Sequence, residues 1–427
     1  MSANSATTIR FRPLNVGRYF VWGAFALVLA VLPAVFNAGF AITMMSQMGI
    51  FIIAALAYNM LLGETGLLSF GHAVYTGLGA YFSIHALNWI AAGALPLPVT
   101  LVPLVGGLFG LLFGLLFGYI ITKKAGTTFA MITLGIGEMV FAASLMFPSF
   151  FGGEGGISAN RVVGKGFLGV TYGPAIQVYY LIAFWTFVSM VAMFALTRTP
   201  LGRVANAVRD NPERVEFIGY NTHIVRFLMF ALSGFFAGIA GGLSAINFEI
   251  VSAESVSAQR SGGMLLAAYI GGVGVFFGPV IGAIIFTFFV VAMSNMTKAW
   301  LLYLGLFFMA IVMFAPGGIA SVILMNLRVW KAGFMNRLWK PYAALAAAGL
   351  VALGGFVAVV EMTYKLSDSG GSGAFSVFGM PIDVAKPLSW IVAGLILAVG
   401  GFLYRKAWVA MKREWDDIQS VLAERGK

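Results

Sequence analysis

Cysteine is absent from the 427 residues, which excludes disulfides, thiolate metal sites and cysteine nucleophiles. Charge is nearly as scarce, with Asp, Glu, Lys and Arg together making up 10% of the chain. A Gly-x-x-x-x-Gly-Lys-Ser/Thr loop is also missing, and no other phosphate cradle replaces it, so the chain is not expected to hydrolyse nucleotide by itself. No carboxylate pair, histidine cluster or Ser/His/Asp spacing points to bond-making chemistry. Neither an enzymatic reaction nor a bound cofactor or metal is expected.

Apolar sequence fills the space that charge leaves. The chain is 60% hydrophobic with a mean hydropathy of +0.94, and its apolar runs repeat at about 20 residues, the length of a helix that crosses the hydrocarbon. The runs are continuous rather than alternating, which excludes a β-barrel and predicts an all-α polytopic membrane protein. The net charge of +11 sits at the ends of the runs, where membrane orientation and anionic lipid account for it and nucleic acid does not.

Arg10, Arg12 and Arg18 precede a first span, Tyr19 to Phe36, and a second follows from Ile42 to Leu62. Gly66 to Trp89 is the expected third span, unusually rich in Gly, Ser and Thr at its start. Pro98 to Ile121 carries Gly106, Gly110, Gly114 and Gly118 on one face, bare enough for another helix to approach closely. Lys123 and Lys124 place the next loop inside, Thr127 to Phe147 crosses outward, and Pro148 to Gln177 is a longer polar excursion outside. Val178 to Leu196 returns inward, Phe227 to Ile246 crosses outward, and Asn247 to Arg260 is expected outside. Gly262 to Met293 is too long for one span and short for two; Gly271, Gly272, Gly274 and the Gly278-Pro279 pair predict two broken segments, either a pathway element or a kinked packing hairpin. Trp300 to Phe314 follows. Counting the broken segment as two crossings keeps Arg328, Lys331, Arg337 and Lys340 inside, as the charge rule requires.

Between two of these spans lies a charged island, Thr197 to Arg226. Thr199-Pro200 is a helix start, and Leu201, Val204, Ala205 and Val208 mark one apolar stripe. Asn211-Pro212 repeats the start signal, Glu213 and Glu216 favour the positive end of the new helix, and Gly219 stands where a left-handed terminator belongs. Two short helices with a sharp turn are expected, forming an elbow outside lipid.

The stretches Glu213 to Leu243 and GETGLLSFGHAVYTGLGAY, together with APGGI at Ala315 to Ile319, resemble branched-chain amino acid permeases of the ABC-importer class. The resemblance covers roughly Ile42 to Ile319. It implies a fold like that of type II importer permeases, about nine core segments including the broken pair, in a cell inner membrane. It also implies a second, related permease forming a heterodimer, two cytoplasmic ATP-binding subunits on the elbow, and a periplasmic solute-binding protein. On that reading Arg203, Arg209, Glu213, Arg214, Glu216 and Gly219 carry the ATPase coupling. Ser69, His72, Tyr75, Glu138, Gly271, Gly272 and Gly274 are the candidate translocation route. The domains would be a cytoplasmic terminus at 1–18, a permease body at 19–319 with coupling helices at 200–219, and an extension at 320–427. A rival is a proton-coupled secondary transporter using Glu138 and residues 262–293.

The extension departs from the family pattern. Spans at 341–360 and 388–403 are expected, joined by an external loop, Glu361 to Lys386, and followed by a tail on which Trp408, Met411, Trp415, Ile418 and Leu422 form an apolar seam for lipid headgroups or a partner subunit. Both termini are expected in the cytoplasm. The solute, whether a branched-chain amino acid, urea, an amide or an aromatic acid, is not specified by any residue.

Overall fold

The computed structural model describes residues 16–163, 170–369, 374–377, 380–384 and 386–425; Arg10, Arg12, the side chain of Arg18 and the side chain of Leu422 lie outside them. Among the described residues, eight helices are long and apolar enough to cross a membrane, or nine when one bent pair counts as a span. The protein is an all-α polytopic membrane protein made of two compact units, Met1–Phe288 and Phe289–Lys427. The division falls ahead of the boundary at 319 that the resemblance suggests.

The first unit contains α1 (Val16–Val35), α2 (Gly39–Thr65), α3 (Ala73–Ala91), α4 (Val102–Ile121), α5 (Gly126–Met146), a single turn α6 (Pro148–Phe151), α7 (Ala175–Arg198), α8 (Pro200–Asp210), α9 (Pro212–Phe217), α10 (Thr222–Phe248), α11 (Ala258–Gly271) and α12 (Gly278–Thr287). At its centre α2 is buried on all sides from Ile50 to Leu61, as an apolar helix without a polar face requires. Beside it, α3, α4 and α10 pack backbone to backbone. A methyl group added at Gly110 would lie 2.9 Å from the Cα of Gly238, and one at Gly234 would lie 2.6 Å from the Gly110 carbonyl oxygen. Gly106 meets Gly238 while Gly118 meets Phe230, so α4 and α10 run in opposite directions. Lipid supplies no hydrophobic drive between helices, and this closeness of bare faces is what holds the three together.

The expected third span begins seven residues late. Gly66 takes the left-handed conformation (φ 70°) and stops α2, and the chain stays non-helical until Ala73. Exposed peptide groups at membrane depth cost several kcal/mol each, so other elements take up this stretch. The Leu67 amide donates to the Leu61 carbonyl (2.9 Å), the Tyr58 hydroxyl donates to the Ser69 carbonyl (2.9 Å), the Phe70 amide donates to Thr133 Oγ1 (3.1 Å) and the Ala73 amide donates to Ser261 Oγ (2.9 Å).

The two loops expected outside are joined. Strands β1 (Ile157–Ser158) and β2 (Ile250–Val251) pair antiparallel, and Arg161 donates from Nε to the Tyr172 carbonyl (2.8 Å) and from Nη2 to the Gly173 carbonyl (3.1 Å). The expectation that Asn247 to Arg260 stays at that end is corrected. His85 and Asn88 of α3 touch Phe150 and Ser158 there, but the chain then descends along α3: a methyl group at Gly77 would come within 2.8 Å of the Ser255 carbonyl oxygen, and Ser261 reaches Ala73. From Ala73 to His85 is about 18 Å of helix at 1.5 Å per residue, so α11 starts inside the bundle. The glycine at position 77 leaves room for this descent.

The broken segment is a helical hairpin. Gly271 abuts Gly278, Gly282 abuts Ala267 and Gly263 abuts Phe286, a pairing in which the chain doubles back on itself through Gly272 (φ 110°). A π-helical turn at Phe288–Met293 and α13 (Ser294–Met296) continue α12.

In the second unit α14 (Trp300–Phe314) and α15 (Gly318–Lys331) are bent by 48°; helix over residues 318–331 is not expected from the sequence reading. Helices α16 (Met335–Ser369) and α17 (Pro387–Arg425) form an antiparallel hairpin, with Gly355 against Leu397 and Gly400 against Ala352, joined through a small ladder of β3 (Ala374–Val377) and β4 (Met380–Asp383). The expected external loop is thus partly helix and partly hairpin. The expected separate tail is the last half of α17. Its seam does not await lipid at every position: Ile418 is fully buried with Val329 and Leu338, and Trp415 packs beside them. Arg337 also bridges to Glu414 (3.1 Å) and Asp417 (2.7 Å).

Gly238→Leu forces apart the α4 and α10 backbones. Overpacking of this kind costs about 1–3 kcal/mol. The variant is expected to melt several degrees lower in detergent, at ~2–4 °C per kcal/mol, whereas Gly23→Ala, in open space on α1, leaves the melting temperature in place.

Candidate functional site

The charged island folds as expected, because each start signal finds its bond. Thr199 Oγ1 accepts from the Gly202 amide (3.3 Å) and Asn211 Oδ1 accepts from the Arg214 amide (3.0 Å). Proline follows each cap at a position that needs no amide. Gly202 allows the corner between α7 and α8, since a methyl group there would stand 2.7 Å from the Thr197 Cα. Gly219 has φ 91° and nothing within 4 Å of an added Cβ, so it is retained for its backbone and not for space.

The elbow is latched to the end of α2. Asn206 Nδ2 donates to Glu64 Oε2 (2.5 Å), and Arg209 Nη1 donates to the Gly63 carbonyl. Arg209 Nε also meets Asp210 (2.9 Å). The Arg209 guanidinium thus turns back onto its own subunit. Glu216 accepts from Thr222 Oγ1 (2.7 Å), bracing α9 against the start of α10. Arg203, Glu213 and Arg214 are exposed, and their side chains have no hydrogen bond or ion pair among the described residues.

What the sequence reading passed over is apolar. Phe217 and Ile218, at the tip of the elbow, are 87% and 71% exposed, with Tyr220 and Ile224 beside them. Tyr220 and Ile224 line a cleft of about 300 Å³ together with Leu201, Val204 and Leu228. The available signal was the break in the charge run at Phe217-Ile218, where two bulky residues precede the left-handed Gly219.

The expected route residues divide into three places. Ser69, His72 and Tyr75 are buried inside the helix packing: His72 sits edge-on to Tyr58 and 3.4 Å from Ser233 Oγ, and Tyr75 meets Phe230. They fill the junction between α2, α3 and α10 and do not form an open wall. Gly271, Gly272 and Gly274 make the turn of the α11–α12 hairpin, near the last turns of α7 where Phe194 meets Phe276 at 5.2 Å. That turn is at the elbow end of the unit. Glu138 is different, an exposed carboxylate midway along α5 on a face shared with Met131, Gly135 and Ala142. A span cannot offer a carboxylate to lipid cheaply, and so this face belongs against protein or water.

The elbow and the membrane-depth junction are continuous. The latched carbonyl of Gly63 lies three residues before Gly66, where the non-helical stretch starts, and that stretch ends against Thr133 of α5 and Ser261 of α11. Among the described residues, no group of His, Asp and Glu has the arrangement of a metal site.

Losing either cap is expected to cost about 1 kcal/mol. Thr199→Ala and Asn211→Ala each speed amide hydrogen exchange over their own helix about fivefold at that cost, and exchange along α4 stays as it was.

The family profile described as "Branched-chain amino acid transport system / permease component" matches residues 40–316. The high-affinity branched-chain amino acid transport system permease protein LivM of Escherichia coli (strain K12) is 27% identical over 294 residues, 63% of this chain and 67% of that protein. The galactose/methyl galactoside import permease protein MglC of Salmonella typhimurium is 27% identical over 220 residues, 48% of this chain and 62% of that protein. The fructose import permease protein FrcC of Rhizobium meliloti is 28% identical over 172 residues, 36% of this chain and 45% of that protein. No solved structure matches the chain.

Proposed function

Since the chain belongs to the branched-chain amino acid transport system permease family, and is thereby the permease component of an ABC-type importer, we propose that it forms a translocation route with a second, related permease. Branched-chain or other small amino acids are the solute class; LivM aligns over more of the chain than the sugar permeases do. Two cytoplasmic ATP-binding subunits grip the elbow, and a periplasmic binding protein delivers the solute. The protein lies in the inner membrane with both termini in the cytoplasm.

The observation that carries this reading is the latch. A rigid, doubly capped elbow fixed to the end of α2 through Asn206 and Arg209 is the arrangement that passes a push from outside the membrane to its middle. Closure of the ATP-binding subunits against Phe217, Ile218, Arg203, Glu213 and Arg214 shifts the Gly63–Gly66 turn. The non-helical stretch beyond it then moves against α5 and α11, and alternating access follows as a rigid-body displacement of packed elements. The chain's own contribution is mechanical, and ATP hydrolysis belongs to its partners.

Replacing Glu213 and Glu216 together by Lys, or Phe217 by Asp, abolishes ATP-dependent uptake in proteoliposomes of the assembled complex, and stimulated ATP hydrolysis falls with it while membrane insertion persists. Undiminished uptake would remove the elbow from coupling. Uptake by this chain alone under a proton gradient, with no ATP, would instead support the secondary-transporter reading.

A further inference from the structure

Contacts within the second unit give its helices a common depth scale. Gly349 lies against Tyr404 and Gly400 against Ala352, and Arg337 bridges to Glu414 and Asp417 farther along the same hairpin. Beyond the Gly349–Tyr404 level α16 stays uncharged as far as Pro341, so its first cation, Lys340, stands about 13 Å away at 1.5 Å per residue. Helix α15 ends at the same edge: the Tyr342 hydroxyl donates to Asn326 Oδ1 (2.8 Å) and Val329 packs with Leu338, which brings Arg328 and Lys331 near Lys340. On α17 charge begins at once, because Arg405 and Lys406 follow Tyr404 directly. Two cations thus stand roughly two helical turns on the apolar side of the edge that α15 and α16 define. A flat membrane surface at Lys340 leaves them in hydrocarbon, whereas one at Arg405 leaves the exposed Ile323, Leu324 and Leu327 of α15 in water.

Neither cation is neutralised within the protein. Both are exposed, and among the described residues neither makes an ion pair. The Lys406 ammonium stands 4.7 Å from the centroid of the Phe402 ring, one turn farther from the charged edge. Helical side chains lean towards the helix N-terminus, which on α17 is the hydrocarbon side, so reaching back to the near water runs against the geometry. The seam of α17 is occupied elsewhere: Tyr404 meets Gly349, Trp408 meets Phe314 and Ile418 is buried. Seven residues on, Lys412 and Arg413 repeat the pair on the same sides of the helix, roughly 10 Å nearer to water. Between the two pairs runs one exposed apolar stripe, Ile391, Leu395, Phe402 and Val409. Of the carboxylates along this stretch, Glu414 and Asp417 are held by Arg337, and Asp416 is exposed at its far end.

We propose that Arg405 and Lys406, with Lys412 and Arg413 beyond them, hold the headgroup of an anionic phospholipid, drawn down along α17 where the bilayer thins locally. The occupant has to be anionic at one end and apolar at the other, because the cations flank a stripe that continues into the hydrocarbon beside Phe402, Leu395 and Ile391. A phospholipid meets both demands, its acyl chain on the stripe and its phosphate between the cation pairs. Thinning the bilayer on one side of the unit is the usual response to a cation that cannot leave hydrocarbon, and a negative headgroup offsets that cation's cost further. The site goes beyond the import reading and rests only on residence in a membrane.

The test uses the full chain in an uncharged detergent, titrated with dioleoylphosphatidylglycerol or dioleoylphosphatidylcholine. Bound lipid is counted by native mass spectrometry, and the melting temperature is followed in parallel, since a ligand of the folded state raises it. Phosphatidylglycerol is expected to bind and to raise the melting temperature, and phosphatidylcholine to do neither. The double variant Arg405→Gln and Lys406→Gln, at exposed positions, keeps its lipid-free melting temperature but binds phosphatidylglycerol about thirtyfold more weakly. Arg405→Lys retains the binding, as does the pair Arg328→Gln and Lys331→Gln at the ordinary charged edge. Equal phosphatidylglycerol binding by the 405/406 variant overturns the assignment, as does an equal response to phosphatidylcholine. An equal loss in the 328/331 variant also overturns it, because the attraction would then belong to the whole edge. Glycerol phosphate matching the effect would make this a site for free phosphate and not for lipid. A chain indifferent to phosphatidylglycerol whose melting temperature rises instead on adding the ATP-binding subunits would give these cations to an acidic protein surface.

Discussion

Hydrocarbon offers no partner to a peptide group, and the architecture of the first unit follows from that. Wherever the chain leaves helical geometry inside the membrane, another element has to supply donors and acceptors. Residues 66–72 are the main case. Tyr58, Thr133 and Ser261 come from three different helices to bond this one stretch, and their convergence fixes where α2, α5 and α11 stand relative to one another. A short non-helical segment is thereby the point at which the bundle is assembled.

The same segment joins the elbow to the middle of the bundle. Its start is tied to the elbow through the end of α2, and its finish abuts α5 and α11. The surrounding glycine seams have no side chains to compress, so a displacement at one end passes between backbones as a rigid movement. The α11–α12 hairpin is built in this way, with Gly271, Gly278 and Gly282 at its seam. The elbow and the middle of the bundle share a single contiguous set of contacts.

Local chemistry was the legible part. Thr199-Pro200 and Asn211-Pro212 carry their caps within three residues, and both elbow helices appear where those signals stand. The glycine faces at 106–118 and 234–242 also read directly, because spacing by four puts residues on one side of any helix. The break near Gly271 was equally visible. Placement in depth was not: hydropathy does not distinguish Leu67 to His72 from the first turns of a helix, since the residues that complete its bonds lie 63 and 188 positions away. Arg209 showed the same limit. Its charge suggested an outward contact, and only the proximity of the Gly63 carbonyl turns it inward.

By itself the sequence determined the solvent, the helices and their caps, since these depend on composition and on neighbours within a turn or two. Only the tertiary structure decided that the stretch from Gly66 to His72 is bonded inside the bundle, that α11 begins deep inside it, and that Ile418 is buried within its own unit. The reason is one of range. A hydrogen bond or a packed methyl group is satisfied by whatever lies within a few ångströms, and in a polytopic bundle those partners come from distant parts of the chain.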